Sequence, residues 1–174
     1  MSGVINFRKI VNGDCSECVE CEMCGLGYID DLGYYAEHYN CGGFAFGTRD
    51  WYMPNGWEDR YYDFDWDPSE EEELERYTQN MLDEIPGLRL IWSEKELEPN
   101  EILVLFRIGI DDFHFVRKEN GHYYHKRGWY HEIEEMEKDE VYGPDWVDGK
   151  YDSDIIMFAY NDSLNVAAGK KIAV

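Results

Sequence analysis

A chain of 174 residues, 44% of them hydrophobic, has enough apolar material to bury one substantial core and is expected to form one compact domain overall. Sixteen Lys and Arg stand against 38 Asp and Glu, a formal net charge of −22. A field of that sign repels phosphate backbones and anionic membranes, which argues against direct nucleic-acid or membrane binding and favours basic partners.

In chain order, residues 1–30 form a cysteine-rich N-terminal segment and residues 31–174 the main domain. After Met1, Arg8 and Lys9 are followed by Ile10, Val11 and then Asn12-Gly13, so no apolar targeting segment is expected at the start. No later run is long enough to span a bilayer, and the expected location is the cytoplasm. Cys15, Cys18, Cys21 and Cys24 form an unbroken C-x-x-C-x-x-C-x-x-C array that holds four of the five cysteines. Such spacing offers thiolates in pairs to one tetrahedral ion, so structural zinc is the first expectation. An Fe–S cluster is the next, although Gly25-Leu26 stands where a ferredoxin-like sequence adds its final ligand. An oxidised or partly disordered segment stays open as a third reading.

Asp30-Asp31-Leu32-Gly33 reads as a turn into the string Tyr39-Asn40-Cys41-Gly42-Gly43, where Cys41 falls at a helix start. Between Trp51 and Asp67 the chain is aromatic and acidic, with a turn at Pro54-Asn55-Gly56, and is expected to face substrate or act as a lid, or else simply to pack its aromatics onto the domain. Asp67-Pro68-Ser69 followed by four glutamates is a strong helix start, with its acids near the positive end of the dipole. Leu74, Tyr77, Met81, Leu82 and Ile85 recur at helical spacing until Pro86-Gly87, and the Glu run from 70 to 73 reads as a solvated face. Leu88 to Trp92 reads as a strand.

Glu101 to Ile110 reads as a buried strand, and the next apolar segment, 113–117, ends at Lys118-Glu119-Asn120-Gly121. Asn-Gly is a strong hairpin signal because both residues accept positive φ. A two-residue turn sets 116 opposite 125, with His114 and His125 one diagonal apart on one face. A four-residue loop sets them directly opposite each other. Either register brings the imidazoles together, and a one-residue slip separates them. Beyond the hairpin, an acidic helix is expected near 132–140, a break at Gly143-Pro144, and a last buried strand from Asp154 to Tyr160. The order of elements predicts an α+β fold in which a helix packs on an antiparallel sheet.

A cysteine at a helix start beside paired imidazoles has defined chemistry. The helix end and a neighbouring imidazolium are expected to lower a thiol pKa from about 8.5 to give a thiolate at neutral pH. Cys41 then attacks an acyl carbon, His114 shuttles the proton, and His125 orients the ring, with Asp112 a second candidate orienter. The Cys41 amide is a candidate oxyanion donor. Arg107, Arg117, Lys126 and Arg127 cluster around the hairpin, so the site is either locally positive or simply balanced by nearby acids.

The turn Leu97-Glu98-Pro99-Asn100-Glu101, the strand after it, His114, His125 and Asn40-Cys41-Gly42-Gly43 together resemble the NlpC-type papain-like cysteine peptidases and amidases over about residues 35–160. That family has Asp-Cys-Ser-Gly at the nucleophile, a Leu-x-Pro-Gly-Asp turn, and a His-Val-Gly-like strand for the base. Here Asn100-Glu101 replaces Gly-Asp, and Phe115-Val116 follows the base instead of Val-Gly. The resemblance implies a papain-like catalytic domain with a Cys41, His114, His125 triad, no cofactor for catalysis, and a peptide or protein substrate. It also implies a tyrosine upstream of the nucleophile beside the oxyanion site, for which Tyr28, Tyr34, Tyr35 and Tyr39 qualify by position. The leading expectation is thus a thiol-dependent hydrolase or acyl transferase acting on an amide, isopeptide or ester. The alternatives are a non-catalytic protein-binding module with a zinc-stapled N-terminus and an acidic inhibitor that imitates nucleic acid.

Overall fold

The computed structural model describes residues 28–29, 35–36, 40–47, 51–62, 65, 67–128, 131 and 133–161, with side chains described from residue 40 onward. The cysteine array at 15, 18, 21 and 24 and the candidate Tyr39 lie outside the described residues.

A two-stranded ribbon, β1 (Tyr28–Ile29) and β2 (Tyr35–Ala36), precedes a short helix, α1 (Cys41–Ala45). Then come α2 (Asp59–Tyr62), α3 (Glu70–Glu84), β3 (Arg89–Ile91), β4 (Glu101–Ile108), β5 (Phe113–Glu119), β6 (His122–Lys126), β7 (Ile133–Met136), α4 (Lys138–Val141) and β8 (Ile156–Asn161). The six strands from β3 onward form one antiparallel sheet in the order β3-β8-β4-β5-β6-β7, so the fold is α+β. Among the described residues, no helix is long and apolar enough to cross a membrane.

Strand β4 is buried along nearly its whole length, so its successive side chains feed two different cores. Ile102, Val104, Phe106 and Ile108 join Phe113, Phe115, Phe158 and Tyr160 against Phe46 and against Tyr77 and Met81 of α3. Leu103 and Leu105 join Val116, Tyr123, Met136, Trp146 and Tyr151 on the other face. Helix α3 starts as its composition predicts: Ser69 caps it, and Glu72 completes a capping box by bonding back to the Ser69 amide. One part of its Glu run departs from the expected solvated face. Glu73 is buried and holds Arg60 at 3.0 Å, because position 73 turns inward beside Leu74 and Tyr77.

The expected helix near 132–140 is replaced by β7 and the one-turn α4. Ile133 and Met136 have helical spacing and glutamates between them, but β6 offers an open edge, and pairing of Lys126 with Ile133 and Tyr123 with Met136 takes precedence. The β5–β6 hairpin takes the two-residue register, with Glu119 opposite His122 and Val116 opposite His125. Asn120 and Gly121 carry the turn at φ 52° and 83°.

Candidate active site

Helix α1 is fixed by one side chain. The Asn40 Oδ1 accepts from the Gly43 and Tyr52 amides, each at 3.0 Å, and its Nδ2 donates to the Tyr52 carbonyl at 2.6 Å. A buried amide thus caps the helix and splices it to the next segment. Gly42 allows the splice, since a Cβ there would come within 2.7 Å of Tyr52 Cδ1 and 2.8 Å of its carbonyl oxygen. Cys41 occupies the first helical position and is 5% exposed.

The thiol is not held over the face of the sheet. In a two-residue hairpin the residues flanking the turn are a hydrogen-bonded pair, so the odd-numbered residues of β5 direct their backbone groups toward β6. Pairing of β5 with β6 ends at Val116 and His125. The Cys41 Sγ fills the place beyond that end, donating to the Phe113 carbonyl at 4.0 Å, with the Phe115 amide also favouring its charged form. Cys41 belongs to the core on one sheet face, whereas His114 packs with Tyr151 and Trp146 on the other. They meet only at the end of β5, where both line a cleft of about 320 Å³.

The imidazoles come together as the hairpin predicts. His114 Nε2 lies 2.9 Å from His125 Nδ1, and His125 Nε2 lies 3.7 Å from a Glu134 carboxylate oxygen. At 3.7 Å the carboxylate acts through its charge and favours one order of tautomers. A carboxylate only accepts, so it favours the proton on His125 Nε2; neutral His125 then accepts at Nδ1, and His114 must donate from Nε2. The His114 Nδ1 is left with its lone pair, as a base requires. Tyr151 stacks on the same ring at 4.9 Å and 16°, and Tyr151 in turn donates to Asp112 Oδ2 at 2.8 Å. Asp112, the second candidate orienter, therefore acts on His114 through Tyr151, while Lys150 holds the same carboxylate oxygen at 3.0 Å.

The electrostatics differ from the expectation of a ready thiolate. Burial pushes the Cys41 thiol up to about 12, and the Asp112 carboxylate adds to the rise more than Lys126 offsets it. Burial holds His114 well below its ordinary value of 6.5, aided by the charges of His125, Lys150 and Arg127. His125 is also lowered by burial, against the opposing pull of Glu134. The resting pair is a neutral thiol beside a neutral imidazole, because a five-residue helix does too little to compensate the lost hydration. The hairpin cations are also held by partners of their own. Arg117 turns to the Ala45 carbonyl, Tyr160 and Glu119, Arg107 to the Gly143 carbonyl and the Trp146 ring, Lys126 to the Gly128 carbonyl, and Arg127 to Glu134.

The aromatic segment after Trp51 does reach the site: Trp51, Trp57, Tyr61 and Tyr62 line the cleft, and Tyr61 and Tyr62 are exposed. Three contributors escape a linear reading. Glu134 is found only once β7 is known to pair with β6, and Trp146 and Tyr151 only once their bridge is recognised. Asp148-Gly149 between the last two is the turn signal that could have marked them. Among the described residues, no three His, Cys, Asp or Glu side chains are placed to hold a metal ion. Comparison of the chain with protein-family profiles, characterised proteins and solved structures finds no match.

Proposed function

We propose that this protein is a thiol-dependent hydrolase or acyl transferase on a papain-like, NlpC-type scaffold, acting on an amide, isopeptide or ester. The observation that carries the proposal is the shared cleft, which is lined by both Cys41 and His114, the head of the His114–His125–Glu134 chain. His114 Nδ1 takes the Sγ proton as sulfur attacks the acyl carbon, and the Cys41 amide at the start of α1 receives the developing oxyanion. His114 then gives the proton to the leaving amine or alcohol. Water or an acceptor nucleophile releases the acyl group from sulfur. The turn before β4 adds support, since Asn100 holds φ 70° where the resembled peptidases use glycine.

Neutral partners make general-base attack the expected route, so an activated ester is the right first substrate. With p-nitrophenyl acetate and peptide mapping by mass spectrometry, the acetyl group is expected on Cys41, at a rate that falls at least tenfold in His114→Ala. Equal rates in the two proteins overturn the proposal. The buried, neutral thiol favours the second reading, a non-catalytic binding module, and that outcome would leave it as the reading to pursue.

A further inference from the structure

At the sheet edge remote from Cys41, helix α3 and the edge strand β3 enclose a groove of about 690 Å³ that the proposed chemistry does not use. Glu71, Leu74, Thr78 and Leu82 recur every three or four residues and form one wall. Leu90 and Ile156 supply an apolar floor, and Trp92, 80% exposed, stands at the lip. Among the described residues, every charged side chain lining the groove is acidic: Glu70, Glu71, Glu75 and Asp154.

From this geometry we infer a docking site for a Lys- or Arg-bearing peptide segment with apolar anchors, supplied by a partner protein. The wholly acidic charged lining and the exposed Trp92 point to such an occupant. Burial and the carboxylates of Asp152, Asp154 and Glu73 disfavour the charge on Glu70, a repulsion that a cation from outside would relieve. Apolar anchors seat on Leu82, Leu90 and Ile156 beneath Trp92, and the basic side chains reach the acidic rim. The inference does not depend on the thiol reading.

The test is fluorescence polarisation with the full chain and a labelled peptide of three Leu-Lys-Lys-Leu repeats, with the Leu-Glu-Glu-Leu counterpart as control. Binding of the basic peptide alone is expected, weakened at least tenfold by Glu71→Lys with Glu75→Lys and several-fold by Trp92→Ala. Asp111→Lys with Asp139→Lys changes the net charge equally at a distance from the groove and should bind as wild type, as should Cys41→Ala. Equal loss in both charge-reversed proteins would mean diffuse attraction to an acidic molecule and overturn the site. Absence of binding to wild type also overturns it. So does binding only after deletion of residues 1–27, because the chain's own segment then holds the groove.

Discussion

Asn40 shows how much of the site rests on one side chain. Its amide accepts twice and donates once, joining the α1 amides to both backbone groups of Tyr52. Asn40→Ala removes the cap and leaves the buried Tyr52 amide and carbonyl unpaired, which predicts a loss of about 3 kcal/mol in urea unfolding. Asn40→Asp does not rescue it, because a carboxylate cannot donate to the Tyr52 carbonyl and carries its charge into a buried position. The histidine pair gives a second expectation at this scale. Glu134 directs protonation along the pair, so nitrogen-resolved NMR of the neutral protein should show His114 protonated at Nε2 and bare at Nδ1. Glu134→Leu removes the acceptor that sets this order, and both tautomers of His114 should then appear. An unchanged single tautomer would place its origin elsewhere, in the Tyr151 stack.

Elements whose cause is local were legible in the sequence, and those whose cause is tertiary were not. Asn120-Gly121 dictates its own turn and thereby the diagonal His114–His125 contact, and Ser69 with Glu72 dictates the start of α3. Strand β7 exists because β6 presents an unpaired edge, which no property of Ile133-Glu134-Glu135-Met136 announces. The Trp146–Tyr151 bridge is hidden further by Val147 at φ 53°, a conformation a β-branched residue rarely adopts. That bridge supplies the ring stacked on His114, and a close backbone crossing fixes its position. Gly109, just past β4, donates to the Asp112 carbonyl at 2.8 Å, and a Cβ on it would fall on the Lys150 carbonyl oxygen. Gly109→Ala therefore has to push the 145–151 segment off the sheet. A loss of about 2–4 kcal/mol is expected, together with a shifted His114 ring resonance as Tyr151 moves. A silent substitution would show that the segment is not rigidly placed.

Across the whole molecule, two opposing effects govern how stability depends on acidity. A net charge of −22 strains the folded state by self-repulsion, and protonation of carboxylates, mostly near pH 4, relieves it. Glu70 and Glu84, both held above the ordinary carboxylate value by burial, take protons more readily when folded and add to that relief. The histidines work the other way and at higher pH. His114 faces His125, Tyr151 and Trp146, with Arg127 and Lys150 near, and its pKa is lowered well below 6.5; that of His125, facing Glu134, is lowered too. Below about pH 6.5 the unfolded chain therefore binds protons that the folded protein refuses, and stability falls with falling pH at about 1.4 kcal/mol per unit for each such histidine. The fall begins near pH 6.5, above the range in which most carboxylates titrate, and continues down to the lowered native values. Urea unfolding at pH 7.5, 6.0 and 5.0 should show it, and His114→Gln, which can still donate to His125 Nδ1, should remove about half of the slope. If wild type and variant have the same slope, His114 is protonated in the fold and the neutral thiol–imidazole pair at the cleft is wrong.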